Sequence, residues 1–116
     1  MTLKECYEIL GADYDDVMNR LRKEDRVTRF LKKFLDDKSF ALLEESLETG
    51  NMEEAFRAAH TLKGVSQNLS LSNLYTPSSL LSDRLKENRA GGEDVRLMFE
   101  QVKTEYQKTV GAVSRL

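Results

Sequence analysis

Ala55-Phe56-Arg57-Ala58-Ala59-His60-Thr61-Leu62-Lys63-Gly64-Val65-Ser66-Gln67-Asn68-Leu69 reads as a helix with two unlike faces. An α-helix turns about 100° per residue. With His60 set at zero, Ala55, Ala58, Leu62, Val65 and Leu69 fall between roughly 140° and 220° and form a core stripe. His60, the chain's only histidine, stands opposite that stripe. Lys63 falls about 60° to one side, Gly64 about 40° to the other and Gln67 within about 20°, so the four share an exposed face. The small residues Ala55, Ala58 and Ala59 suit close helix packing. Phe56, one turn before His60, reads as a boundary residue flanking the core stripe; the functional alternative is an apolar anchor for a partner.

Asn51 caps this helix, with Glu54 three residues on, so it is expected from Met52 to about Leu69. Upstream, Thr2 caps a short helix that runs to Leu10 and is ended by Gly11. Asp13 starts a second over Tyr14 to Leu21. A third spans about Glu24 to Leu35, with Val27, Phe30, Leu31, Phe34 and Leu35 at three- and four-residue steps. Asp36, Asp37 and Ser39 supply a break and a new cap. The next helix buries Phe40, Leu43 and Leu47 and ends at Gly50. Downstream, Ser70 to Thr76 is ambiguous. Pro77 fits the first turn of a helix capped by Thr76, because the missing N–H costs nothing there. That helix would run to about Asn88 and stop before Ala90-Gly91-Gly92. The last helix, Glu93 to about Arg115, places Val95, Met98, Phe99, Val102, Tyr106, Val110 and Val113 on one stripe.

Helices joined by short loops pack as antiparallel neighbours. The expected fold is all-α: an antiparallel four-helix bundle of the longer, later helices, with two short N-terminal helices packed on it. The 116 residues suit one domain, 1–116, with no linker or repeat. Six glycines, one proline and no tryptophan agree with a helical chain.

Charged residues make up 33% of the chain, but the net charge is only −2 and the signs are mixed. This argues against nucleic-acid binding, which leaves a clustered basic footprint. One cysteine, Cys6, and one histidine build neither a disulfide nor a familiar zinc site, so no metal and no cofactor are expected. A reducing, cytoplasmic location follows from the same count. No apolar run follows Lys4 to make a signal peptide, and none approaches the roughly 20 residues of a membrane span. Without a strict heptad, a monomer is expected. Arg29-Phe30-Leu31-Lys32-Lys33 reads as a solvated helix face, and Glu44 and Glu45 as surface residues.

An exposed His-x-x-Lys-Gly can do specific chemistry. A neutral imidazole nitrogen is a good nucleophile at physiological pH and can accept and release a phosphoryl group. Lys63, one turn on, can pair with phosphoryl oxygens as a mobile point charge. Glycine within a helix costs roughly 1 kcal/mol relative to alanine, so Gly64 beside His60 points to clearance for an incoming surface. Taken singly, each residue also has a plain structural reading: a surface histidine, a solvated lysine, and a glycine at a tight helix contact.

The run Ala58 to Leu69, with Phe56-Arg57 before it, resembles the signature of the histidine-containing phosphotransfer (HPt) family, in which AH-x-L-K-G precedes small or polar residues. The resemblance is strongest over Met52 to Leu71. It implies a four-helix bundle with His60 as phosphoacceptor and Lys63 and Gly64 at supporting positions; Gln67 is carried only as a polar contact. It implies phosphorelay partners: a response-regulator receiver domain, a hybrid histidine kinase, or both. The receiver would bring the magnesium, and no independent kinase or hydrolase activity is expected of this chain. Three positions depart from the family pattern. Ser70 stands where a glycine usually follows the signature helix. Pro77 falls where the next helix is normally continuous, so that helix starts late or is kinked. Ser82, with Asp83 beside it, occupies the place of a Glu or Gln that orients the imidazole. The competing reading is a helical adaptor that binds a signalling partner without transferring phosphate.

Overall fold

The computed structural model describes residues 1–116 as seven helices and no strand: α1 (Leu3–Leu10), α2 (Tyr14–Leu21), α3 (Glu24–Phe34), α4 (Ser39–Thr49), α5 (Met52–Asn68), α6 (Ser72–Glu87) and α7 (Glu93–Val113). Helices α4 to α7 pack in succession, and their short connections make neighbours antiparallel. Phe40 of α4 stacks on Phe99 and Tyr106 of α7, with ring centroids 5.6 and 4.2 Å apart, and closes the bundle. The short pair α1 and α2 packs on α7 and α3 respectively.

The helix ends follow local chemistry. Thr2 and Glu5 form a reciprocal capping box at α1, and Gly11 ends it in the left-handed region at φ +68°. Asp13 Oδ1 accepts from the Asp16 N–H at the start of α2. Asn51 Oδ1 accepts from the Glu54 N–H at the start of α5. The Glu54 side chain does not return the bond; it pairs with Arg57 at 2.7 Å, as Glu53 does at 2.9 Å. α4 departs from expectation here: Ser39 is its first helical residue, not its cap, and Asp37 Oδ1 accepts from the Ser39 N–H.

The start of α6 also differs. The helix begins at Ser72, so Pro77 is its sixth residue rather than its first, and Thr76 is not a cap. Pro77 removes a single donor, the one that would reach the Asn73 carbonyl. Two features offset that loss. The early turn buries Leu71 and Leu74 completely. Asn73 Nδ2 donates to Glu105 Oε1 and Thr109 Oγ1 on α7, at 3.1 and 3.2 Å.

The core takes Ala55, Ala58, Ala59 and Leu62 from α5, each at most 2% exposed, and Leu69 just beyond it. Val65 and Leu47 are only half-buried. On α7 the stripe runs through Val95, Phe99, Val102, Thr109, Ala112 and Val113, while Met98, Tyr106 and Val110 lie at its margin. Burial of one such leucine or valine contributes about 1.5–3 kcal/mol.

Candidate functional site

In the middle of α5 three buried alanines, Ala55, Ala58 and Ala59, let the neighbouring helices approach closely. On the opposite side His60 is exposed, and its ring makes no hydrogen bond within the chain. Its aromatic neighbour is Phe56, with ring centroids 5.8 Å apart and planes inclined by 31°. Phe56 is half-buried and touches the core, so the boundary description holds, but its ring also reaches the His60 face. At about −40° from His60, the helix turn itself brings it there.

Lys63 is half-buried and forms no ion pair, which leaves its ammonium free for an anion. Gly64 is exposed, and a Cβ built on it would meet nothing within 4 Å. No contact inside the chain therefore demands a glycine there, which removes the tight-helix-contact reading. Beside Gly64 lies an open groove of about 330 Å³ between α3 and α5, walled by Phe30, Lys33, Phe34, Val65 and Leu69. The Lys33 ammonium sits 5.7 Å from the Phe30 ring centroid. Phe30 and Lys33 were legible in sequence only as part of a helix face; their approach to Gly64 depends on how α3 packs.

Gln67 is exposed on the same helix, and its carbonyl accepts from Arg20 at 3.2 Å. Ser82 is not part of the constellation. It is 2% exposed, faces the bundle interior and makes no hydrogen bond to His60. Ser82 is a candidate supporting residue only through the family position it fills, and the structure does not bring it to the imidazole: the turn of α6 that carries it points into the core.

Ser70 resolves the first departure from the family pattern. It adopts φ +54°, the left-handed conformation that glycine takes more cheaply. The Leu71 N–H donates to the Ser66 carbonyl and the Ser70 N–H to the Gln67 carbonyl, the two bonds of a Schellman ending. The Ser70 hydroxyl donates to Asp16 Oδ2 at 2.6 Å and accepts from Arg20 Nη1 at 2.8 Å. Hydrogen bonds from Ser70 first, and then from Arg20, hold the Asp16 carboxyl below its ordinary range. Arg20 Nη1 also donates to the Gln67 and Asn68 carbonyls. Tyr7 Oη donates to the Leu69 carbonyl at 2.7 Å. Burial raises the Tyr7 phenol well above its usual value and also raises the Cys6 thiol. Cys6 is fully buried and takes no part in the site.

A family model described as "Hpt domain" matches residues 29–111. Neither the curated proteins nor the solved structures yield a match.

Proposed function

The chain belongs to the Hpt-domain family, whose members have a histidine phosphotransfer role in phosphorelays, and we propose that it carries the phosphoryl group on His60. Hpt domains generally interact with receiver domains and histidine kinases, and those are the partners proposed for this chain. The observation that carries the reading is the pairing of an exposed, unbonded His60 with an open flank at Gly64. An imidazole nitrogen attacks the phosphorus of a receiver's aspartyl phosphate. The N–P bond forms as the acyl O–P bond breaks, and the aspartate leaves as carboxylate. The reverse step delivers the group to a second receiver. Little covalent chemistry falls to this chain, so its work is to position the imidazole and neutralise charge. Lys63 supplies the charge and Gly64 the space. Phe56, beside His60, offers an apolar contact to the partner. Gln67 offers a polar one.

The test is incubation with a panel of phosphorylated receiver domains. We expect acid-labile, base-stable label on the wild type and none on His60→Gln. Label retained by His60→Gln would refute the assignment.

One observation favours a second reading, a non-transferring adaptor: no side chain hydrogen-bonds to the His60 ring, since Ser82 is turned inward. That reading predicts receiver binding that persists in His60→Ala, with no label on the wild type.

A further inference from the structure

The α6–α7 connection brings one more cation to the His60 face. The Arg89 guanidinium carbon lies 4.7 Å from the centroid of the Phe56 ring, and the Phe56 ring lies 5.8 Å from that of His60. One aromatic ring therefore links Arg89 to the imidazole. Nearby arginines are committed elsewhere: Arg57 is paired with Glu53 and Glu54, and Arg84 with Asp94 through two bonds. Arg89 forms no ion pair. Its placement is nonetheless built, because its neighbours in the loop are held. Arg84 Nη1 donates to the Asn88 carbonyl at 2.7 Å, and the Ala90 N–H donates to Asn88 Oδ1 at 2.9 Å.

We propose that Arg89 is a phosphoryl-binding residue, parked on Phe56 while His60 is free and transferred to the phosphoryl oxygens once His60 is modified. This rests on the reading of His60 as phosphoacceptor. A phosphoryl group adds about −1.5 to −2 charges and three acceptor oxygens. A guanidinium presents a planar fork that fits two such oxygens, whereas Lys63 offers a point charge. An exposed cation–π contact is weak, so it does not lock the guanidinium on Phe56. Lys63 would approach from within α5 and Arg89 from the loop, which together bracket the group. Phe56 gains a second role as the platform that keeps the cation close before phosphate arrives.

The experiment needs no protein partner. The full chain is phosphorylated with potassium phosphoramidate, whose P–N bond breaks as the imidazole N–P bond forms and ammonia leaves. The Arg89 Nε–H resonance is followed by NMR, and the lifetime of phospho-His60 is measured for wild type, Arg89→Ala, Arg89→Lys and Phe56→Leu. The resonance is expected to move on phosphorylation in the wild type and to stay fixed in His60→Gln. Arg89→Ala should shorten the lifetime about threefold, the size of one exposed charge pair, with Arg89→Lys between the two. Phe56→Leu should shift the Arg89 resonance in the free protein. An unmoved Arg89 resonance and an unchanged lifetime in a protein phosphorylated at His60 overturn the proposal alone. Failure of His60 to take the group overturns the underlying reading and this one with it.

Discussion

Gly64→Ala should make the protein more stable and a poorer phosphotransfer partner. Position 64 lies inside α5, twelve residues from its start and four from its end, where glycine is about 0.5–1 kcal/mol worse than alanine. The added Cβ meets nothing within 4 Å, so no clash subtracts from that gain. In a domain of this size the melting temperature should rise by roughly 2–4 °C. The same open space is what an incoming receiver would occupy. A methyl group intrudes on it slightly, and the longer side chain of Gly64→Gln does so substantially. Single-turnover transfer from a phosphorylated receiver, titrated in receiver concentration, separates the two effects. The loss should fall on apparent affinity, about tenfold for Gly64→Gln and less for Gly64→Ala, a tenfold change being about 1.4 kcal/mol. Labelling by phosphoramidate, a donor too small to touch position 64, should stay at the wild-type rate. Wild-type transfer by Gly64→Gln would refute the clearance argument. A lower melting temperature in Gly64→Ala would show that the helix contact, not the partner, requires glycine.

Ser70→Ala keeps a Cβ in the left-handed region and removes both hydroxyl bonds, whereas Ser70→Gly removes the bonds and relieves the backbone; urea unfolding should find the alanine variant less stable by about 1 kcal/mol. Asp16 has a lowered folded pKa, so its contribution is present above the unfolded value of 3.8 and is lost as pH falls through the lower folded value. Unfolding followed from pH 6 to 2 should therefore show the stability gap between wild type and Asp16→Asn closing below about 3.8, and a gap that widens with acid would reverse the assignment. Ser82→Ala should leave the transfer rate within about twofold of wild type, because the buried hydroxyl does not reach His60; a tenfold loss would restore Ser82 as the group that holds the ring.

Periodicity located all seven helices, because capping residues and apolar spacing act over a few residues and leave local marks. α1 and α2 have the expected bounds, and α5 ends one residue early. The exposure of His60 and Gly64 was legible for the same reason, since both lie on the helix whose buried stripe is read most plainly. α6 was misplaced because Pro77 is a strong local signal, and tertiary burial of Leu71 and Leu74 outweighed it. Arg89 and the groove at Phe30 carried no mark in sequence. Their positions depend on a loop held by Arg84 and on how α3 meets α5.

The family match begins at residue 29, yet the C-terminal end of the signature helix is held by residues before it. A helix leaves its last carbonyls without partners, and a glycine ending normally folds the backbone back to satisfy some of them. Here the turn is made by Ser70 at a conformational disadvantage. Arg20 takes the Gln67 and Asn68 carbonyls, Tyr7 takes that of Leu69, and Asp16 anchors both Arg20 and the Ser70 hydroxyl. The Asp13 N–H adds a bond to the Ser70 carbonyl. α1 and α2 thus add partners for these carbonyls and hold Ser70 in the conformation that a glycine takes more cheaply. The consequence reaches the candidate site, because His60 has no orienting hydrogen bond of its own and depends on the rigidity of the helix that carries it. In this chain that rigidity is secured at one end by Asn51 and at the other by two helices that lie outside the matched region.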